Sequence, residues 1–594
     1  MGDATVIWMK TSDTRCALMQ LNADGRGVTT IYSRPARRLI ENCCGKGVLG
    51  PSNGACICVC AGPVVIDIKN FAWEPAWPGR HSPTPSRQAA CVWSHARMST
   101  NASIASLEAR VASLQAQLVS IHQHTVSKDS ADTFWLLISG ILVFFMQCGF
   151  AMLEAGAVAS KSTESIMLKN LFDAAVAGLL WWLIGHGIFT EGGNAFFGVT
   201  PIGNRTRSVF ATHDHMFNSE VKGVDWALVF FQFTFAATSS TVVSGALAER
   251  TQVTAYIVFS SIVTGLVYPV IAHWVWSTTG WLSCSNPNSS RCMIDFAGSG
   301  VVHCTGGLCA LIGATVVGPR SGRFDSSGRT VPMPGHSSVL QVLGTFILWV
   351  GWYGFNCGST ASISTEEDPR IAGRVAITTT LSACVGGITC VCLEKAFNAT
   401  RQWDVCSMCN GILCGLVSIT AGCATVQPWA AIIIGFVGGW VYRGTSRFVR
   451  RVQVDDPLDA SAVHFSCGLW GIFACAIFST PEYAHELTMG RAVDGGLIYG
   501  GTELIGSVCL FVLAHVAWVG TLASIIFLTL NCFGLLRVPL QLEVKGFHED
   551  SQGIEMSTHG GQPCWPPLHT AETGPVGPPI SYDPYAAPRS IASV

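Results

Sequence analysis

Two histidines lie inside charge-poor apolar runs, and imidazole is the side chain best suited to exchanging a proton near neutral pH. His303 closes the stretch IDFAGSGVVH (residues 294–303), which opens with Asp295 and continues without a charge to Gly318. Counted from Ala297, this run is long enough for one membrane-crossing helix, with Asp295 just ahead of its start and His303 about two turns in. A carboxylate at a helix start bonds unpaired backbone N–H groups and complements the helix dipole, so Asp295 has a structural role available. His303 has none. A titratable ring at membrane depth is expected to face a bundle interior or an aqueous path. Gly298, Gly300, Gly306 and Gly307 flank it and suit close helix packing or a narrow lumen. A second such ring, His464, follows Asp455-Asp456-Pro457-Leu458-Asp459. Each neutral imidazole offers one donor and one acceptor, so two rings that share a hydrogen bond can pass a proton.

Aromatic side chains accompany them. Phe231 and Phe235 are four apart, on one face of a helix. Trp276 ends the stretch Ala272-His273-Trp274-Val275-Trp276, and Trp352, Phe355 and Ser359 share the run 351–359 (GWYGFNCGS). Aromatic faces with one hydroxyl and no fixed carboxylate suit a small, weakly held monovalent cation. Indoles also line membrane interfaces routinely, so position alone does not assign them.

The elements that must hold these groups are membrane helices. A chain of 594 residues with 12% charged and 49% hydrophobic residues and 62 glycines has the composition of a polytopic membrane protein. Eleven apolar segments are long enough to span: 133–153, 166–189, 224–247, 252–276, 297–318, 338–358, 371–397, 403–425, 426–442, 460–480 and 500–536. One set of loops is rich in basic residues, among them Lys161, Arg250, Arg320, Arg323, Arg443 and Arg450; the other is poorer. The positive-inside rule makes the first set cytoplasmic, with the N-terminus outside and the C-terminus inside. The poorer set holds the sequons Asn204-Arg205-Thr206 and Asn288-Ser289-Ser290, and one of its loops contains Cys284 and Cys292, paired or free. Histidines in the fifth and tenth segments occupy equivalent places in two five-helix repeats of inverted topology, with the site at their interface. The fold class expected is therefore an all-α polytopic membrane protein.

Before the first span, residues 1–100 read as a mostly irregular extension, whose Cys43, Cys44, Cys56, Cys58 and Cys60 lack the paired spacing of a metal site. Within 101–126, Ile104, Leu107, Val111, Leu114, Leu118 and Ile121 recur at steps of three and four, a short coiled-coil seam. A formal net charge of −2 gives no electrostatic case for nucleic acid. Without a metal triad, nucleophile elbow or phosphate loop outside the spans, no enzyme activity, cofactor or metal is expected.

The motifs DFAGSGVVH, AERTQ, GWYGFN followed by GS, and DDPLDA followed by His464 together resemble the ammonium transporter (Amt/Mep/Rh) family, closest to its plant and algal branch. The resemblance covers about residues 133 to 536, with a trace in a cytoplasmic tail, 537–594. It implies a plasma-membrane homotrimer with one pore per subunit and ammonium or ammonia as substrate. By motif position, Trp276, Phe235 and Ser359 would form an outer recruiting site supported by Asp295, and Phe235 with Phe355 the pore gate. His303 and His464 would line a hydrophobic lumen with Trp352 and Phe231. An ammonium sensor with slow transport is the alternative; an Rh-type gas channel fits the aromatics and Ser359 less well. One departure stands out: the family usually has glycine after the second pore histidine, whereas Phe465 and Ser466 follow here, a change expected to crowd a helix contact or alter the lumen. In the tail, residues 553–561 resemble GMDMTRHGG, with Ser557 at a regulatory threonine position and Thr558 replacing an arginine.

Overall fold

The computed structural model describes residues 5–12, 15–21, 27–32, 109–113, 115, 128–190, 193–198, 226–398, 401–492 and 494–545. The chain divides into two units, Met1–Gln117 and Leu118–Val594.

In the first unit, β1 (Thr5–Ser12), β2 (Arg15–Leu21) and β3 (Gly27–Tyr32) form an antiparallel meander in that order, with Val6 opposite Gln20 and Cys16 opposite Tyr32. The sequence reading expected mostly irregular chain here; the strand sequences are rich in the β-branched and aromatic residues that favour a pleated surface. Residues 109–113 and 115 are helical, and the rest of the coiled-coil segment lies outside the described residues, as do the cysteines 43–60 and the tail residues Ser557 and Thr558.

The second unit is built of helices, and each of the eleven candidate segments contains one. They are α1 (Lys128–Ala157), α2 (Ser160–Phe189), α3 (Trp226–Leu247), α4 (Val253–Trp276), α5 (Ser299–Val317), α6 (Ser338–Gly358) and α7 (Asp368–Phe397), followed by α8 (Val405–Ile419), α9 (Pro428–Arg451), α10 (Ser461–Phe478) and α11 (Glu503–Cys532). Among the described residues, nine of these are long and apolar enough to cross a membrane, α8 and α9 being the exceptions. α8 is a shorter apolar helix. α9 starts with Pro428 in the first turn, where the missing N–H costs nothing, and runs on past the expected end at 442 to Arg450 and Arg451.

Glycines allow close helix contacts. α1 and α6 lie so near that a Cβ on Gly344 would stand 2.4 Å from the Leu153 backbone nitrogen, and one on Gly351 2.2 Å from Met146 Cγ. Small residues that let backbones approach are the usual device of membrane helix packing, where lipid offers no hydrophobic drive.

Four π-helical turns interrupt the described helices: Trp181–Gly185, Val263–Val267, Ser299–Cys304 and Ser461–Ser466. Such wide turns are rare and concentrate at functional sites. The last two open α5 and α10, and each carries one of the two histidines.

Candidate pore and its twin histidines

α5 starts at Ser299, two residues later than the apolar run begins, and Asp295 explains why. Its carboxylate accepts hydrogen bonds from the backbone N–H of Gly298 at 3.1 Å and of Gly300 and Val301 at 2.9 Å. Gly298 has φ +103°, a conformation that favours glycine, and a Cβ there would also meet Trp276 at 3.1 Å. Asp295 therefore faces the helix start and not the aromatic column.

α10 repeats the device. Asp456 stands eight residues ahead of His464, as Asp295 stands eight ahead of His303. Its carboxylate accepts from the Ala460 N–H at 3.0 Å and from the Ser461 N–H and hydroxyl at 2.7 Å. Asp459 takes a positive φ (+56°) where the first copy has Gly298. The spacing was the signal available in the sequence, and Asp456 was not singled out there.

The two devices aim their rings at each other. His303 and His464 are buried with ring centroids 5.2 Å apart and planes 30° apart, and their Nδ1 atoms are 3.2 Å from one another. One nitrogen donates and the other accepts, so the rings must hold opposite tautomers. His303 stacks on Trp352 (5.0 Å, 17°) and on Phe355 (5.5 Å, 25°). Phe355 stacks on Phe235 at 4.0 Å and 17°, and Phe235 in turn touches Phe231 at 4.8 Å and meets Trp276 edge-on at 6.0 Å. Trp276, Phe231, Phe235, Phe355, Trp352, His303 and His464 thus form one continuous series of ring contacts. Its near-parallel faces leave little exposed polar surface: His303 Nε2 is buried without a hydrogen-bond partner.

Hydrogen bonds fix the indoles. The Trp276 N–H donates to the Asp295 carbonyl at 2.8 Å, tying the end of α4 to the segment before α5. The Trp352 N–H donates to the Thr420 hydroxyl at 3.0 Å. Ser359 caps α6, donates to the Phe355 carbonyl at 2.8 Å and is half-buried. Its neighbour Gly358 abuts the Phe231 ring, to which an added Cβ would come within 3.0 Å.

The substitution beside His464 is accommodated by a glycine opposite. A Cβ on Gly307 of α5 would lie 2.2 Å from the Phe465 backbone nitrogen and 2.8 Å from the His464 carbonyl carbon. The tight contact is therefore backbone against Gly307, while the Phe465 ring is partly exposed at the edge of the core.

An ion cluster ties the far end of α5 to the segment before α10. Asp455 pairs with Arg320 (2.7 Å) and Arg323 (3.1 Å), Arg320 also pairs with Glu249, and Arg250 donates to the Asp455 carbonyl at 2.6 Å. Burial alone would push the Asp455 carboxyl up, but the hydrogen bonds and charge of Arg320, with Arg250 beside it, hold it below the usual carboxylate range.

Comparison with known proteins settles the family. The model of the Ammonium Transporter Family matches residues 134–556. The chain belongs to the ammonium transporter family. Ammonium transporter 1 member 3 of Solanum lycopersicum is 40% identical over 451 residues, 73% of this chain and 93% of that protein. Ammonium transporter 1 member 2 of Arabidopsis thaliana is also 40% identical, over 68% of this chain and 78% of that protein. Among solved structures, one titled Sensor Amt Protein matches with a TM-score of 0.61 at 29% identity, covering 71% of this chain and 98% of its own. Mep2 of Candida albicans matches with a TM-score of 0.60 at 29% identity, covering 69% and 86%.

This ammonium transporter family member also buries polar groups that the sequence reading passed over. Glu154 accepts from Asn170 at 2.7 Å and Ser244 at 2.8 Å, and Asp173 accepts from Ser240 at 2.7 Å and from Thr241 and Ser260. With buried Lys169 they place three ionisable side chains between α1, α2, α3 and α4. Lys169 and Asp173 stand within the second apolar segment, a signal the sequence carried. His515 of α11, a third buried imidazole, lies 3.0 Å through Nε2 from the Thr305 hydroxyl.

Proposed function

We propose that the chain moves ammonium across a membrane by releasing it as ammonia into the column of rings described above. Ammonium is recruited at the outer end by the faces of Trp276 and Phe235 and the hydroxyl of Ser359, with Asp295 holding the geometry from the helix start. Phe235 and Phe355 form the gate. A bare cation in an apolar lumen pays a desolvation cost that ammonia avoids, so one N–H bond breaks, its electron pair stays on nitrogen, and the proton passes to an imidazole. Ammonia then moves past Phe231, Trp352, His303 and His464. The observation that carries this reading is the Nδ1–Nδ1 separation of 3.2 Å between His303 and His464, within one hydrogen bond of a proton transfer.

In this reading the eleven helices all cross, with the N-terminus outside and the C-terminus inside the plasma membrane, and the helices form an inverted five-helix repeat. Three copies assemble as a homotrimer surrounded by lipid. The chain divides into an extension (1–100), a coiled-coil segment (101–126), the transport unit (133–536) and a regulatory tail (537–594).

The test measures current and ammonium uptake together in cells lacking their own ammonium carriers. Wild type is expected to give saturable uptake. His303→Ala and His464→Ala, made separately, are expected to cut flux while leaving the oligomer intact on gel filtration. Saturable wild-type flux in both variants overturns the histidine assignment, and binding without flux in wild type favours a sensor.

A further inference from the structure

Between α4 and α5 the chain makes a long excursion from Ser277 to Gly298 on the face opposite the basic loops. Its base is closed by the Cys284–Cys292 disulfide and by the Met293 N–H donating to the Leu282 carbonyl at 2.9 Å. From the loop between α10 and α11, the Arg491 guanidinium donates to the carbonyls of Ser283 (3.4 Å), Cys284 (3.3 Å), Asn286 and Ser289. These bonds fix the loop, and Pro287, Asn288 and Ser290 are exposed on it. Asn288-Ser289-Ser290 is an acceptor sequon with no proline between its asparagine and its second serine. Asn288 lies twelve residues past Trp276 and eleven before Ser299, at the apex of the excursion. A disulfide on the same loop belongs to the oxidising side of a membrane, the side on which glycans are added.

We propose that Asn288 is an N-glycosylation site. The proposal rests on the orientation given under Proposed function. The Asn288 side-chain nitrogen forms a bond to the anomeric carbon of a lipid-pyrophosphate-linked oligosaccharide. The bond from that carbon to the pyrophosphate oxygen breaks, the pyrophosphate leaves with the electron pair, and the amide loses one proton. The tip leaves room for a bulky, hydrated group because Pro287, Asn288 and Ser290 are exposed. The chain contains its own control. Asn398-Ala399-Thr400, one of the other sequons in the chain, lies on the opposite, basic face, where Asn398 is exposed at the end of α7. Both are acceptor sequons, one closed by serine and the other by threonine, and in that orientation they lie on opposite sides of the membrane.

The experiment uses the full chain made in eukaryotic cells, treated with peptide N-glycanase in heavy-oxygen water and read by peptide mass spectrometry. Residue 288 is expected to convert to heavy-oxygen aspartate while residue 398 stays asparagine, and Asn288→Gln or Ser290→Ala is expected to remove one glycan from the intact protein. Residue 288 left unlabelled overturns the proposal. To separate that failure from a failure of orientation, Glu366→Cys, exposed on the α6–α7 loop of the same face, is probed with a membrane-impermeant maleimide in intact cells. Labelling there with residue 288 unmodified rejects the glycan and keeps the orientation. Labelling only after permeabilisation, or conversion at residue 398, rejects both.

Discussion

Trp352 and Thr420 are joined by a hydrogen bond of 3.0 Å, and it holds the indole nearly parallel to His303. Thr420 spends its own proton on the Leu416 carbonyl at 2.7 Å, which leaves its oxygen free to accept from the indole. The sequence placed Thr420 in an apolar segment with nothing to mark it.

Thr420→Val should strand the buried indole N–H, at a cost of about 1–3 kcal/mol, and lower transport by loosening the ring against His303. Thr420→Ser keeps the acceptor and should restore both. Thermal unfolding and uptake, measured on the same preparations, check it; equal uptake in all three proteins would remove the hydrogen bond from the pore's requirements.

Gly307→Ala should be poorly tolerated, because the backbone of Phe465 and His464 stands where its Cβ must go and backbone yields little. Overpacking of this kind costs about 1–3 kcal/mol. Gly373→Ala is the comparison, since a Cβ there meets nothing within 4 Å and the residue lies in the second turn of α7. A lower midpoint for the first and an unchanged or higher one for the second is the expected result by differential scanning fluorimetry in detergent.

Asp455 sets a pH dependence. Its folded carboxyl titrates below the usual value, so the stability it contributes is fully present above the unfolded pKa of about 3.9 and is lost as pH falls through the lower folded value. Melting curves of wild type and Asp455→Asn should therefore differ at neutral pH and begin to converge only as pH falls below about 4, through the lower folded value. Arg320→Leu should destabilise by about 3 kcal/mol, the low end for a broken buried pair, because Arg323 remains 3.1 Å from the carboxylate.

The tail carries the fourth expectation. A phosphate on Ser557 would add roughly two negative charges to the tail proposed above as regulatory. Ser557→Asp should depress transport without reducing surface protein, and a co-expressed mutant subunit should inhibit its wild-type partners. Normal conduction by Ser557→Asp with loss in Thr558→Asp would put the motif one residue out of register, and normal conduction by both would remove the switch.

What was legible in the sequence were contrasts. His303 and His464 stood out because an ionisable ring is conspicuous in an apolar run, and the helices because twenty such residues in a row have few other uses. Helix ends were less legible: α5 begins late because Asp295 and Gly298 form a loop that hydropathy does not register. α9 runs long because its basic last turns are helical without being apolar. Phe150, whose ring centroid lies 6.4 Å from that of His464, looked like any packing residue. Asp456 was visible within a quoted motif, yet its role emerged only when its carboxylate was seen on the first N–H groups of α10.

The opposite tautomers of His303 and His464 have a consequence for timing. A proton handed across the Nδ1 pair enters one ring on its far nitrogen and leaves the other from its far nitrogen, so both rings finish as mirror images of how they began. A second proton travelling the same way meets a donor where it needs an acceptor, and must wait until both imidazoles are reset. Ammonia meets no such turnstile. On the proposed reading, charge and nitrogen share the column but keep separate clocks, because only the proton has to wait for the rings.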